Sequence, residues 1–145
     1  MTAPSREIDR RRFVADLIEA CPDVLAIAGL GAPAYDLFAA GDRDTSFYLW
    51  GGMGGAAAMG LGLALAQPER SVLVLTGDGE QLMGLGALAT IGARRPPNLT
   101  VVVLDNGRYG ETGMQETHTS LGTSLSGVAV ACGLAWVETV SSAAE

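Results

Sequence analysis

Apolar and polar positions divide the chain into short segments of alternating type. Phe13, Val14, Leu17 and Ile18 fall on one face of a helix predicted over residues 6–20, which Pro22 closes. VLAIAG (24–29) reads as a short buried strand, and a helix or turn follows near 33–40. SFYLWG (46–51) is a second strand, followed by a helix of small residues from about Met53 to Leu65. SVLVLTG (71–77) and LTVVVLDN (99–106) are continuous apolar strands on either side of a helix predicted over 81–93. A Gly/Thr/Ser-rich loop, a helix near 124–132 and a last strand LAWVETV (134–140) complete the pattern.

Strands that are apolar throughout, not alternately, are buried on both faces. Interleaved with helices, they predict an α/β fold: a doubly wound, mostly parallel sheet covered on both sides. No repeat or low-complexity linker divides the chain, so residues 1–145 are read as a single domain. The sequence stops at SSAAE, where a further helix is expected to begin, and a C-terminal truncation is the expectation there.

Composition narrows the partners. Nine basic against sixteen acidic residues give a net charge of −7, without the basic face that nucleic acid or an anionic membrane would need. A small anionic substrate stays compatible, because a metal and local dipoles can dominate one pocket. Cys21 and Cys132 lie far apart and build neither a zinc site nor a disulfide framework. MTAPSREIDRRRF contains no apolar core of a signal peptide, and Gly51 to Ala66 is too short and glycine-rich for a membrane span. The expectation is a cytoplasmic, soluble domain.

The candidate chemistry sits at two strand ends. Gly77-Asp78-Gly79 follows one strand and Asp105-Asn106-Gly107 follows the next, with twenty-six residues between Gly79 and Asn106. That interval holds one crossover helix and a returning strand, so both turns reach the same sheet edge, where open α/β sheets bind ligands. Asp78 and Asn106 then converge as hard oxygen ligands for Mg²⁺, whose shell diphosphate oxygens can complete. Gly79 allows close backbone approach to a phosphate, and the helix beginning near Glu80 directs free N–H groups at it. Alone, GDG is more often just a strand-to-helix turn capped by Asp78. The matching Asn-Gly at the next strand end favours the ligand reading.

At these residues the chain resembles the thiamine diphosphate-dependent enzymes, in which GDG is followed 24–27 residues later by Asn. The resemblance extends upstream to Trp50-Gly51-Gly52-Met53-Gly54. It implies that the Gly51 carbonyl meets the cofactor's 4′-amino group and that Met53 wedges between its two rings. Within the family the likeness is strongest to sulfopyruvate and phosphonopyruvate decarboxylases, notably the β subunit of the split sulfopyruvate enzyme. FYLWGGMG, LGLALAQPERSVLVLTGDG, LATIGARRPPNLTVVVLDNG and YGETGMQETHT carry it over essentially the whole chain. By resemblance, Asp78, Asn106 and the backbone carbonyl of Arg108 hold Mg²⁺. Gly51, Gly52, Met53 and Gly54 face the ring end of the cofactor. Gly77, Gly79, Glu80, Tyr109 and Gly110 meet its diphosphate, mainly through backbone N–H.

The resemblance also implies what this chain lacks. The family's glutamate that hydrogen-bonds the pyrimidine N1′ sits on a separate pyrimidine-binding domain, and no residue here is assigned to that role. A separately encoded α subunit is the implied partner, alongside self-association of this domain. The implied reaction is decarboxylation of a small anionic 2-oxo acid to an aldehyde. An acetolactate-type carboligase subunit and a catalytically silent regulatory relative are the alternatives. Position 80 is usually Ser, Ala or Cys in such enzymes, and a Glu there repels a diphosphate unless it turns away or caps a helix.

Weaker signals remain. Gly29-x-Gly31-x-x-Ala34 and Gly52-x-Gly54-x-x-Ala57 both match a dinucleotide pattern, but neither has the acidic ribose contact at the next strand end. Gly31 to Pro33 is read as a pocket-lining loop. His118, the only histidine, is a candidate proton donor or anion contact beside the substrate, against the plainer reading of an exposed loop residue. Gln115, Glu111 and Thr117 share that status, and Arg108's side chain is either an anion contact or a surface charge.

Overall fold

The computed structural model of the chain describes residues 8–142. Helix α1 (Arg10–Ala20) begins after Asp9, whose side chain accepts the Arg12 amide at 3.0 Å. That cap places the helix start later than the predicted residue 6, and residues 6 and 7 lie outside the described region. Strand β1 (Leu25–Ala28), helix α2 (Ala32–Ala39) and strand β2 (Ser46–Tyr48) follow. Helix α3 (Ala56–Ala66) leads to strand β3 (Val72–Gly77). It starts three residues later than expected, because Gly54 is at φ 90° and the Gly55 amide closes a turn on Gly52 O at 2.7 Å.

The helix predicted over 81–93 is two helices, α4 (Asp78–Met83) and α5 (Gly86–Arg94). The break has a tertiary cause. A Cβ on Gly84 would lie 2.0 Å from the carbonyl oxygen of Gly54, so the two backbones touch and the chain swerves there. Strand β4 (Leu99–Leu104) leads into a small antiparallel hairpin, β5 (Arg108–Tyr109) and β6 (Gln115–Glu116), where the sequence promised only a loop. Helix α6 (Leu125–Ala131) is capped by Ser124 Oγ, which accepts the Gly127 amide at 3.0 Å.

The predicted final strand over 134–140 does not form. Trp136 is 74% exposed, and no pleated neighbour receives the segment among the described residues. The expectation about the chain's end bears on residues 143–145, which lie outside the described region.

All four strands of the main sheet are parallel, in the order β2-β1-β3-β4. Because side chains alternate across a strand, Ala26, Ala28, Leu73 and Leu75 point to one face. There they pack with Val14 and Ile18 of α1 and Ala34 and Leu37 of α2. Ile27 and Val74 point to the other face and meet Ala56 of α3, while Leu61 of α3 packs on Ile91 of α5. Fully burying one such Leu or Ile stabilises the fold by about 1.5–3 kcal/mol, so these contacts dominate its energetics.

The doubly wound expectation therefore holds, with helices on both faces. From β1 the chain steps outward to β2 through α2, then returns through α3 to β3 on the other side of β1. Crossovers of one hand place helices on opposite faces when the direction of travel reverses. The reversal lies between β1 and β3, and at such a point the loops after the two strands part and leave a crevice.

Candidate functional site

The crevice forms where the fold calls for it. Its walls include Leu30, Gly31, Ala32 and Pro33 after β1, Gly77 to Glu80 after β3, and Leu104, Asn106 and Arg108 to Thr112 after β4. Met53 reaches it from the turn before α3, and Arg10 closes it from the start of α1. The two motifs separated in sequence are thus joined: the Asn106 amide lies 3.4 Å from Asp78 Oδ1.

Asp78 is only 1% exposed, so its carboxyl oxygens need hydrogen-bond partners inside the protein. Thr117 Oγ1 donates a short hydrogen bond to Asp78 Oδ2, and Thr119 Oγ1 donates to the same oxygen at 3.1 Å. Oδ1 has only the long contact from Asn106, so it retains accepting capacity toward the crevice. Asn106 Oδ1 accepts the Arg108 amide at 2.9 Å, and Asp105 Oδ1 accepts the Gly107 amide at 3.0 Å. These Asx turns fix the loop after β4. The Thr117 amide and Ser120 Oγ both donate to Gly107 O, tying the following segment back to it.

The donor set fits a hard divalent cation with phosphate oxygens: one carboxylate, one carboxamide and nearby carbonyls. Among the described residues no cluster of three or more His, Cys, Asp or Glu could hold a metal unaided. Such an ion would need a ligand's own oxygens. Gly79 adds a steric argument, since a Cβ there would lie 2.4 Å from the Tyr109 ring. Only glycine lets the Tyr109 ring pack this close to the turn, beside first-turn amides of α4 that lack intrahelical partners.

Glu80 does not point into the crevice. It is 3% exposed, and Thr76 Oγ1 donates to its Oε2 at 2.8 Å. Burial pushes its carboxyl above the ordinary carboxylate range, and the Thr76 hydroxyl and the amides of Gly54, Ala56 and Leu30 oppose that rise. None of those amides forms a full bond to Oε1, which is buried without a hydrogen-bond partner.

Comparison with known proteins gives this geometry a family. Residues 33–145 match the family model described as thiamine pyrophosphate enzyme, C-terminal TPP binding domain. The chain belongs to the thiamine pyrophosphate enzymes. It is similar to the sulfopyruvate decarboxylase subunit beta of Methanocaldococcus jannaschii, at 44% identity over 117 residues. That match covers 81% of this chain and 62% of the relative. It is also similar to the phosphonopyruvate decarboxylase of Streptomyces viridochromogenes, at 45% identity over 130 residues, covering 90% of this chain and 32% of that enzyme. The chain thus spans less than two thirds of each of these two relatives. A solved structure of a candidate thiamin diphosphate-dependent enzyme from Mycobacterium smegmatis shares the fold, with TM-score 0.73 and 23% identity. It covers 89% of this chain and 26% of that one.

In this thiamine pyrophosphate enzyme domain, several residues singled out from sequence line one crevice: Met53, Gly77, Asp78, Gly79, Glu80, Asn106, Arg108, Tyr109 and Gly110. Gly51, Gly52 and Gly54 form the turn that carries Met53 but do not line the wall themselves. His118 is exposed and also stands off the wall, although its neighbours Thr117 and Thr119 face Asp78. Arg108's guanidinium pairs with Glu116 at 3.3 Å across the hairpin. Gln115 hydrogen-bonds Thr112, and Glu111 packs over Gly31 at the crevice.

Sequence reasoning missed two features. Thr117 was named only as a loop candidate and Thr119 not at all, although from the turn at 118–120 the Thr119 hydroxyl reaches the same Asp78 oxygen as Thr117. The Arg10–Asp36 ion pair, with Asp36 fully buried, joins residues 26 apart and left no local signal.

Proposed function

We propose that the chain is the diphosphate- and Mg²⁺-binding part of a thiamine diphosphate-dependent 2-oxo acid decarboxylase. Its substrate is a small anionic 2-oxo acid of the sulfopyruvate or phosphonopyruvate type. The observation that carries this reading is the meeting of Asp78 and Asn106 in one crevice with Met53. The names of the two relatives supply the substrate class.

Asp78, Asn106 and the Arg108 carbonyl would hold Mg²⁺. Backbone groups of Gly77, Gly79, Glu80, Tyr109 and Gly110 would receive the diphosphate. Gly51, Gly52, Met53 and Gly54 would face the ring end and hold it bent. When bound, the cofactor supplies the electron sink that lets CO₂ leave. The chain's own residues bind, orient and neutralise: Thr117 and Thr119 hold Asp78 in place, and Tyr109 walls the diphosphate floor. Glu80 is turned inward, so its charge does not face the diphosphate.

The N1′-activating glutamate would come from a separate pyrimidine-binding α subunit, as the name "subunit beta" of the methanogen relative supports. Self-association is supported by an apolar face of α3 on which Met59 and Leu65 are exposed. Among the described residues no helix is long and apolar enough to cross a membrane. The free cysteines Cys21 and Cys132 fit a reducing compartment, and we place the enzyme in the cytoplasm.

The test is an assay of the chain with its pyrimidine-binding subunit, thiamine diphosphate and Mg²⁺. CO₂ and aldehyde released from sulfopyruvate or phosphonopyruvate, and not from pyruvate, is the expected result. Acetolactate formed from pyruvate would instead place the chain among the carboligases. His118→Ala, assayed alongside, decides whether that exposed histidine serves the reaction.

A further inference from the structure

We propose that Arg10 is a further cofactor-binding residue: anchored by the buried side chain of Asp36, its guanidinium receives the terminal phosphate of the diphosphate. The proposal rests on reading the crevice as the thiamine diphosphate site. What it adds is a side chain for the end of that site remote from Met53.

The fold sets the direction in which the crevice runs. Met53 leads into α3, which packs on the face of the sheet that presents Ile27 and Val74. Arg10 opens α1, which packs with α2 on the opposite face, against Ala26 and Leu73. Between them lie the turns after β3 and β4, with Asp78 and Asn106. A ligand with its rings on Met53 and its diphosphate over Asp78 and Asn106 therefore carries its terminal phosphate toward Arg10.

Arg10 is held by a partner that cannot retreat into water. Asp36, on α2, is fully buried, and Arg10 Nε and Nη2 both donate to its carboxylate, Nη2 at 3.4 Å. Arg11 Nε donates to the same carboxylate at 3.4 Å. Two guanidiniums against one carboxylate leave the cluster one net positive charge. Breaking such a pair strands a buried charge, so the planar guanidinium is fixed more firmly than by an exposed partner. Arg10 Nη1 has no hydrogen-bond partner among the described residues, and the side chain is 40% exposed.

The other cation on the crevice wall, Arg108, has its guanidinium paired with Glu116 at 3.3 Å. Glu111, which packs over Gly31 just before α2, is exposed and makes no ion pair with Arg10. Arg10 is thus the wall cation with donors to spare. A diphosphate carries more negative charge than one Mg²⁺ cancels, and a guanidinium matches phosphate oxygens with paired N–H donors.

Calorimetric titration of thiamine diphosphate and of inorganic diphosphate, each with Mg²⁺, into the chain with its pyrimidine-binding subunit tests the contact. Both ligands bring a terminal phosphate, so Arg10→Gln should weaken both by about tenfold. Because Arg10→Gln also loosens the hold on a buried carboxylate, the double variant Arg10→Gln/Asp36→Asn is measured beside it. With Arg11 it keeps one net positive charge in the cluster, leaves no buried charge to pair, and lacks the guanidinium on the wall. It should melt near the wild-type temperature and show the same loss of about tenfold for both ligands.

Wild-type affinity in the double variant would overturn the proposal, because the cluster's field and not the contact would then matter. A loss confined to thiamine diphosphate would overturn it by placing Arg10 at the ring end. So would unchanged binding of both ligands with a raised KM for sulfopyruvate, which would make Arg10 a contact for the substrate's acid group. If the wild-type protein binds neither ligand, the cofactor reading falls and the proposal with it. If wild type and both variants bind equally well, the proposal alone falls.

Discussion

Replacing Thr76 by Val removes one hydroxyl from a fully buried strand position and changes almost nothing else in shape. Thr76 is 1% exposed, and its Oγ1 is the one side-chain donor to Glu80, at 2.8 Å. Glu80's carboxyl is raised above the usual carboxylate range, chiefly by burial, with Thr76 as the largest opposing cause. A raised carboxyl binds its proton more tightly in the folded than in the unfolded chain. Its contribution to stability is therefore greatest below the unfolded carboxylate value and is lost as pH rises through the folded one. Without Thr76 the folded carboxyl rises further and the loss on the alkaline side deepens. A hydrogen bond to an ionised acceptor contributes about 1.5–3 kcal/mol net and one to a neutral acceptor about 0.5–1.5 kcal/mol. Thr76→Val should thus cost about 1.5–3 kcal/mol near pH 8 and distinctly less near pH 5. Urea unfolding followed by far-UV circular dichroism at both pH values measures this, with an unchanged urea slope confirming a comparable transition. A penalty that is the same at both pH values, or below about 0.5 kcal/mol near pH 8, would refute the reasoning.

Three further outcomes are expected. Gly84→Ala places a methyl 2.0 Å from the Gly54 carbonyl, a backbone atom that cannot swing aside. It should lower stability by about 1–3 kcal/mol in thermal melts. Gly29→Ala meets the buried end of Glu80 and should be destabilising alone but much less so in a Glu80→Ala background. A double-mutant coupling of about 1 kcal/mol or more would register that contact, and simple additivity would argue against it. Thr117→Val removes the hydroxyl that steadies Asp78 and should weaken Mg²⁺-dependent cofactor binding about tenfold, measured by metal titration at saturating thiamine diphosphate.

The parts of the fold visible in sequence were those fixed by local chemistry. VLVLTG and LTVVVL are apolar without alternation, the pattern of strands in a sheet covered on both faces; β3 is buried along its length, whereas β4, at the sheet edge, is only partly buried. Their ends carry GDG and DNG, so the site's floor was readable once the strands were placed. The split between α4 and α5 was not, because its cause is contact between Gly84 and Gly54, 30 residues away in sequence. The β5–β6 hairpin was hidden because its strands are two residues long and polar, with nothing apolar to set a period. LAWVETV misled for the opposite reason: its β-branched and aromatic residues favour a strand only beside a neighbour, and Trp136 lies open to solvent. Glu80 is the instructive case. Its charge beside a diphosphate motif looked adverse in sequence, and the side chain's inward turn onto Thr76 removes the conflict.

The central claim is that Asp78 and Asn106 form one Mg²⁺–diphosphate site in this chain. Calorimetric titration of thiamine diphosphate with Mg²⁺ into the wild-type, Asp78→Ala and Asn106→Ala proteins, with and without the pyrimidine-binding subunit, tests it most directly. Binding that requires Mg²⁺ and both side chains, and that strengthens with the partner subunit, is the expected result. Binding that survives loss of either side chain, or no binding by the wild-type protein under any of these conditions, would contradict it.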